Sequence, residues 1–268
     1  MTLKGSGRIK AWDGVLSFNA DQLTGIEARI KMNALEDLNF EIQGTALPHT
    51  GIIPGALNEL LVRKTGFNIR ARIKDKKELF LEHARFESDI ALLDLNGDLD
   101  IRRMTLEGAF AADLRDISPL GRLIKKDCSG SLAVNGELKG PINLPSADLT
   151  LRIRDLDTDI IRTDAFSANA LIESVSTDDS SEPAFHIIGN GNINGLYVHS
   201  LSDDILEKDL AWGLDMTWSP DGDIGINSLR ANCALFTAGI SGLFNIGQRK
   251  GNIEGDIELE SIDRYSGI

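Results

Sequence analysis

Leu93-Asp94-Leu95-Asn96-Gly97-Asp98-Leu99-Asp100-Ile101 decides the fold class: every odd residue is apolar or glycine, and every even one is acidic or an amide. Side chains of a strand point alternately to its two faces, so this stretch has one aliphatic surface and one acidic, solvated surface. The same period of two runs through Phe67–Ile73, Leu132–Leu138, Leu149–Ile153, Trp212–Trp218 and Ile253–Leu259. Buried parallel strands read as continuous apolar runs, whereas one-sided alternation over many segments specifies antiparallel sheet with a wet outer face. The expected class is all-β with a few short helices.

Helical spacing is confined to Gly55–Lys64, Asp116–Lys126 and Ser202–Leu210. Asp116 or Ser118 suits the N-cap of the second, with Pro119 near its first position. Ser202 suits the cap of the third, with acidic residues in its first turn. Ser176–Pro183 is polar, acidic and closed by proline, the signature of a loop. Nothing resembles an interdomain linker, so one continuous sheet-based segment over 1–268 is expected.

A long repeat runs through this pattern. Phe67, Ile69, Ala71 and Ile73 precede Trp212, Leu214, Met216 and Trp218 by 145 positions, and Leu79 and Leu81 meet Ile224 and Ile226 at the same offset. Gly97 meets Gly242, Ile101 meets Ile246, and Leu60 and Leu61 meet Ile205 and Leu206. With two residues inserted, Glu107-Gly108 meets Glu254-Gly255. The order helix, strand, break, strand recurs, which reads as two copies of one helix-plus-meander unit over roughly 55–156 and 200–268.

Composition bounds the function. The 268 residues carry 28 Lys+Arg against 41 Asp+Glu, a net charge of −13, which argues against nucleic-acid binding. The longest stretch without a polar side chain is Gly51–Leu57, far short of the roughly 20 residues of a membrane-spanning helix. The opening MTLKGSGRIK has no apolar signal-peptide region, so either the chain stays where it is made or it is a piece of a longer protein. Cys128 and Cys233 are too few for a disulfide framework and too far apart for a CxxC site; two free thiols or a single bridge remain open.

Catalytic and metal signals are weak. Asp94–Asp100 superficially resembles a calcium loop, but Leu99 stands where an EF-hand needs glycine, and the leucines fit a strand. Gly189–Gly195 spaces its glycines as GxGxxxG with no helix after it, which does not make a phosphate cradle. His49, His83, His186 and His199 lack zinc spacing, and no nucleophile elbow is present. Paired carboxylates suit the outer face of acidic strands, although a glycosidase on an all-β scaffold would use such a pair. The expectation is a non-enzyme without metal or cofactor.

The segment Ala112–Leu156, with Asp113-Leu114 through Ile117, Ser118 and Leu120, then Gly130-Ser131-Leu132, Gly136-Glu137-Leu138-Lys139-Gly140, Pro145 and the Asp148–Leu156 strand, resembles the repeating middle region of TamB proteins. These are the AsmA-like translocation and assembly module proteins of the Gram-negative envelope. The resemblance implies an elongated, curled antiparallel sheet forming an open groove, a β-taco. It also implies a periplasmic, cell-envelope location and conduction of phospholipid between inner and outer membranes. Help with outer-membrane protein assembly beside a TamA-type barrel partner is implied as well. Family members carry an N-terminal membrane anchor and a characteristic C-terminal domain, and the sequence departs on both counts, so the expectation is an internal segment or a truncated open reading frame.

Under that reading the groove lining is Phe67, Ile69, Ile73, Leu93, Leu95, Leu99, Ile101, Leu132, Val134 and Leu138, followed by Leu149, Leu151, Ile153, Trp212, Leu214, Met216, Trp218, Ile253, Ile257 and Leu259. Phospholipid acyl chains are the expected partner. Each buried methylene contributes about 0.8 kcal/mol, so one acyl chain gains on the order of 10 kcal/mol there. Aliphatic side chains supply no directional contact, which lets a tail slide. About 16 strands at ~4.8 Å spacing extend roughly 75 Å. Glycines inside the strand patterns either bend the sheet or give clearance to large neighbours. Trp12, Trp212 and Trp218 suit either a groove rim or cross-strand packing. A structural or adhesive β-repeat module with a closed core is the alternative.

Overall fold

The computed structural model of the chain describes residues 2–8, 11–20, 24–34, 36–48, 64–75, 77–123, 126–175, 183–199, 209–219, 221–234 and 236–259. Among the described residues there are seventeen strands and one short helix, and every strand pairing is antiparallel. The chain divides into two compact units, Met1–Ile142 and Asn143–Ile268.

The first unit is a meander of β1 (Thr2–Arg8), β2 (Ala11–Ala20), β3 (Thr24–Asn33), β4 (Leu38–Pro48), β5 (Thr65–Lys74), β6 (Glu78–Glu87), β7 (Ala91–Asp100), β8 (Thr105–Leu114) and β9 (Cys128–Pro141). Each strand pairs with the next, and β1 and β9 do not pair with each other, so the sheet is open rather than a barrel. Nine strands at ~4.8 Å spacing extend about 38 Å across the hydrogen-bonding direction.

Between β8 and β9 lies α1 (Ser118–Leu123), shorter than the helix expected over Asp116–Lys126. Asp116 Oδ1 accepts from the Ser118 backbone N–H at 2.9 Å and from Ser118 Oγ at 2.6 Å, which satisfies the first turn. Lys126 N–H bonds back to Gly121 C=O at 2.9 Å ahead of β9, and residues 124–125 lie outside the described residues. Of the other two helical stretches, residues 55–63 and 202–208 lie outside the described residues, as does 176–182 of the acidic loop; Asp209 and Leu210 open a strand.

The second unit holds β10 (Ser146–Thr158), β11 (Ile161–Val175), β12 (Ala184–Asn194), the two-residue β13 (Tyr197–Val198), β14 (Asp209–Trp218), β15 (Asp223–Asn232), β16 (Phe236–Asn245) and β17 (Lys250–Leu259). β10 pairs with β11, β11 with β12 and β13, and β12 with β14; β14 to β17 then meander. This sheet is open too.

The 145-residue offset carries fine structure. Adding 145 to β6, β7 and β8 gives the bounds of β15, β16 and β17. β6 bulges between Leu81 and Ala84, and β15 bulges between Ile226 and Leu229, the same two positions moved by 145. The backbone bond from Ile101 N–H to Lys77 C=O, 2.8 Å, recurs from Ile246 N–H to Gly222 C=O, 2.9 Å. Asp100 Oδ1 accepts from the Arg103 N–H, and Asn245 Oδ1 accepts from the Gln248 N–H, the same short-range cap in both hairpins. One detail differs from expectation: no residues are inserted, because Gly97 pairs with Gly108 where Gly242 pairs with Ile253. Glu107-Gly108 therefore corresponds to Asn252-Ile253, and the Glu-Gly match was a coincidence of two similar strands.

Candidate functional site

Directly opposed residues of an antiparallel pair share a face, so the pairing register shows what each surface presents. In the first unit one row runs Trp12, Met32, Phe40, Ala71, Leu81, Gly97, Gly108, Leu138 across eight strands. The next runs Gly14, Ile30, Ile42, Ile69, Ala84, Leu95, Phe110, Gly136. A third passes through Phe67, Phe86, Leu93 and Ala112 to Val134, and a fourth through Ile73, Leu79 and Leu99 to Leu106. Leu132 pairs with Leu114. No charged side chain interrupts these rows, and the indole of Trp12 is their one side chain with a hydrogen-bonding group.

The second unit repeats the arrangement. Ala147, Ile172, Ile187, Met216, Ile226, Gly242 and Ile253 form one row. Leu149, Ala170, Gly189, Leu214, Leu229, Ile240 and Gly255 form the next. Leu151, Ala168, Gly191, Trp212, Ala231, Ala238 and Ile257 form a third. Ile153 pairs with Phe166, Phe185 with Trp218, and Phe236 with Leu259. Every residue expected to line the apolar surface lies in these rows of its own unit except Ile101, which sits in the β7–β8 turn and is exposed.

Bulges keep the rows apolar. β6 reads Leu79, Leu81, then Ala84, Phe86, a step of three where alternation demands two; Glu82 and His83 occupy the bulge, so the later residues return to the apolar face. Ile226 and Leu229 do the same in β15.

Among the described residues neither unit closes a large core over this face. Among the described residues only Ala28, Ala84, Ile90 and Ile117 are buried hydrophobics, while the large side chains of the rows are half-buried or exposed. The glycines resolve mainly as clearance. A Cβ on Gly97 would stand 2.7 Å from Glu107 O and 2.8 Å from Gly108 Cα, so the two backbones meet over a paired glycine floor. A Cβ on Gly191 would meet the Trp212 ring at 2.9 Å. The tryptophans are packing residues: Trp12 lies against Gly5 and Gly14, Trp212 stacks on Phe166 with centroids 5.8 Å apart, and Trp218 stacks on Phe185 at 5.5 Å.

The opposite face is an ion-pair lattice. Arg29 holds Asp13 through Nε–Oδ1 at 3.1 Å and Nη2–Oδ2 at 2.6 Å. Glu41 sits between Lys31 at 3.7 Å and Arg70 at 3.3 Å, and Arg85 pairs with Asp94 at 3.2 Å and Glu87 at 3.1 Å. The Arg29 guanidinium holds the Asp13 carboxyl below the usual range. In the second unit Asn227 Nδ2 donates to Asp215 Oδ1 at 2.7 Å and His186 Nε2 meets the same oxygen at 2.9 Å. These two contacts, Asn227 first, lower the Asp215 carboxyl. Such exposed pairs contribute little stability each; they mark the wet side. A hollow of about 470 Å³ over β2 to β5 is lined by the ion-paired Asp13, Lys31, Glu41 and Arg70 together with Trp12, Met32, Phe40 and Ala71 of the first apolar row.

The weak sequence motifs become structure. Asp94, Asn96, Asp98 and Asp100 lie in the unbroken strand β7, and Gly189, Gly191 and Asn194 in β12. His83 is a bulge residue, and His199 Nε2 lies 3.5 Å from Asp157; His49 lies outside the described residues. Cys128 and Cys233 are free and half-buried, and Cys128 Sγ lies 3.4 Å from Ile117 O. Among the described residues no group of His, Cys, Asp and Glu is placed to hold a metal ion, and no helix is long and apolar enough to cross a membrane. The sequence reading does not contain the ion-pair lattice; its signal is the row Lys31, Glu41 and Arg70 at opposed positions of β3, β4 and β5.

No family model, curated protein or solved structure matches the chain. The likeness to TamB rests on the residues quoted above.

Proposed function

We propose that the chain is a lipid-conducting segment of a TamB-like, AsmA-like envelope protein, working without catalysis in the periplasm. The observation that carries this reading is the set of continuous apolar rows in each unit, over which the described residues place no buried core of large side chains. Water against such a face costs about 25 cal/mol per Å², and acyl chains laid across the rows remove it. The rows offer repeated, nearly equivalent aliphatic positions with no polar trap, so a tail moves by small steps. The ion-pair lattice keeps the other face in water. Assembly of outer-membrane proteins beside a barrel partner belongs to the same proposal, by resemblance alone. A structural or adhesive repeat module with a closed core would instead bury those rows under side chains of its own.

The test is a photo-crosslinking map. A benzophenone side chain replacing Leu95 or Leu214 should capture phospholipid, and one replacing Asp94 or Asp215 should not. Equal capture from both faces, or none from either in a folded protein, would overturn the proposal.

A further inference from the structure

The one expected lining residue that leaves the apolar rows, Ile101, belongs to a rim built by three strand ends of the first unit. Ile101 N–H donates to Lys77 C=O at 2.8 Å, and Ile142 N–H donates to Met104 C=O at 2.8 Å. The turns after β5, β7 and β9 are thereby tied side by side. Ile101, Met104 and Ile142 each stand two residues beyond the paired Leu99, Leu106 and Gly140, at the turn end of that row, and are 47%, 52% and 40% exposed. The first two turns carry Lys74, Lys76, Lys77, Arg102 and Arg103 against Asp75, Glu78 and Asp100; Lys76 lies outside the described residues. Five cations against three anions give +2 locally, in a chain whose net charge is −13. Asp100 is engaged by the turn itself, its Oδ1 accepting from the Arg102 and Arg103 N–H groups at 2.8 and 2.9 Å. Among the described residues Lys74, Lys77 and Arg102 enter no salt bridge, and the Arg103 side chain, 82% exposed, reaches only Asp100 at 3.7 Å.

We infer that this rim docks on an anionic phospholipid surface, its lysines and arginines meeting lipid phosphates while Ile101, Met104 and Ile142 enter the interface. At such a surface apolar burial and attraction to anionic headgroups act together. A nucleic acid or an acidic polypeptide would use the cations and leave the three hydrophobic side chains in water. The internal repeat supplies a control. The counterpart turns 145 residues later keep the backbone bond, from Ile246 N–H to Gly222 C=O, and an exposed isoleucine, Ile246 at 51%. They hold Ser219, Gly222, Gly247 and Gln248 where the first unit has Lys74, Lys77, Arg102 and Arg103. With Arg249 and Lys250 against Asp221 and Asp223 those turns are neutral. The same turn thus forms without the cations, so turn formation does not explain them. At 0.1 M salt the Debye length is about 10 Å, which screens the acids of the more distant strands while the rim touches lipid. The inference does not depend on what the rows carry.

The experiment is sedimentation of the full chain with vesicles at about 0.1 M salt, made of phosphatidylcholine alone or of phosphatidylcholine and phosphatidylglycerol in equal parts. Binding should require phosphatidylglycerol. Lys77→Gly, Arg102→Gly, Arg103→Gln puts the second unit's residues on the same backbone. It should lower partition on the order of 100-fold, because each cation at an anionic surface contributes roughly fivefold. Arg152→Gln, Arg154→Gln, Arg162→Gln removes the same charge from exposed positions of the second unit and should lower partition less than about threefold. Ile101→Ser, Met104→Ser should lower it about tenfold. The Leu95→Arg, Leu214→Asp double variant should bind as the native chain does, which separates this inference from the lipid-conducting reading. Circular dichroism checks that each variant is folded. Binding of the folded native chain to neither vesicle, or to both alike, would overturn the inference. So would equal losses from the two triple variants, full binding after Ile101→Ser, Met104→Ser, or a loss confined to the Leu95→Arg, Leu214→Asp variant.

Discussion

Met104 and Arg249 occupy the same place in two hairpins, 249 − 104 = 145 positions apart, and both adopt left-handed backbone, with φ of 53° and 52°. Neither is a glycine, and such a conformation costs an L-residue roughly 1–2 kcal/mol. Two side chains as different as thioether and guanidinium tolerate it because the turn, not the residue, imposes it. In each hairpin an Asp or Asn side chain caps the turn and a backbone bond ties its first residue to the preceding hairpin.

Met104→Gly and Arg249→Gly should therefore each stabilise the fold by about 0.5–1 kcal/mol. Urea midpoints of the two single variants check this. Both should rise, whereas opposite signs would contradict the equivalence of the hairpins.

The paired glycines Gly97 and Gly108 set a limit of the other kind. Gly97→Val pushes a branched side chain into Glu107 O and Gly108 Cα and should cost about 1–3 kcal/mol. Gly255→Val, where a Cβ finds its nearest neighbour at 3.4 Å, should cost visibly less in the same denaturation series.

How much of this was legible beforehand depends on which residues carried period-two information. Leu93–Ile101 announced β7, but the sequence reading stops at Leu81 and Ile226, and the three-residue steps to Ala84 and Leu229 become bulges only once the pairing partners are known. The left-handed turns were hidden because neither Met104 nor Arg249 is a turn-former. The packing of Trp212 on Phe166 depends on strands far apart in sequence, and no local pattern encodes that pairing. The false match of Glu107-Gly108 shows the limit of alternation itself: a pattern of period two fits any even shift. Only pairing partners separate the true offset from its neighbours.

The acidic group at Asp13 gives a pH signature. Its folded pKa lies below the unfolded value of about 3.9, so the folded state binds fewer protons in that range. The stabilising contribution is full above about pH 5 and disappears as pH falls through the folded value. Chemical denaturation of the native chain and of Arg29→Gln across pH 2–6 checks this. The difference between the two should be constant at the upper end and shrink towards the lower; a difference that grows on acidification would be the wrong sign.

Under the proposed lipid-conducting reading, a charge placed in the rows should lower lipid contact without dissolving the sheet. Leu95→Arg and Leu214→Asp sit in half-buried rows with one side unfilled, so part of the side chain reaches water and circular dichroism should stay β-rich. Lipid crosslinking from neighbouring row positions should fall several-fold. Unchanged crosslinking with unchanged fold would remove the rows from the path.

The most direct measurement is native mass spectrometry of the chain after it is directed to and purified from a bacterial periplasm without detergent exchange. Adducts with phospholipid masses, lost together in the Leu95→Arg, Leu214→Asp double variant, are the predicted result. A folded, lipid-free chain in every charge state, with its aliphatic rows protected by its own side chains, would contradict it.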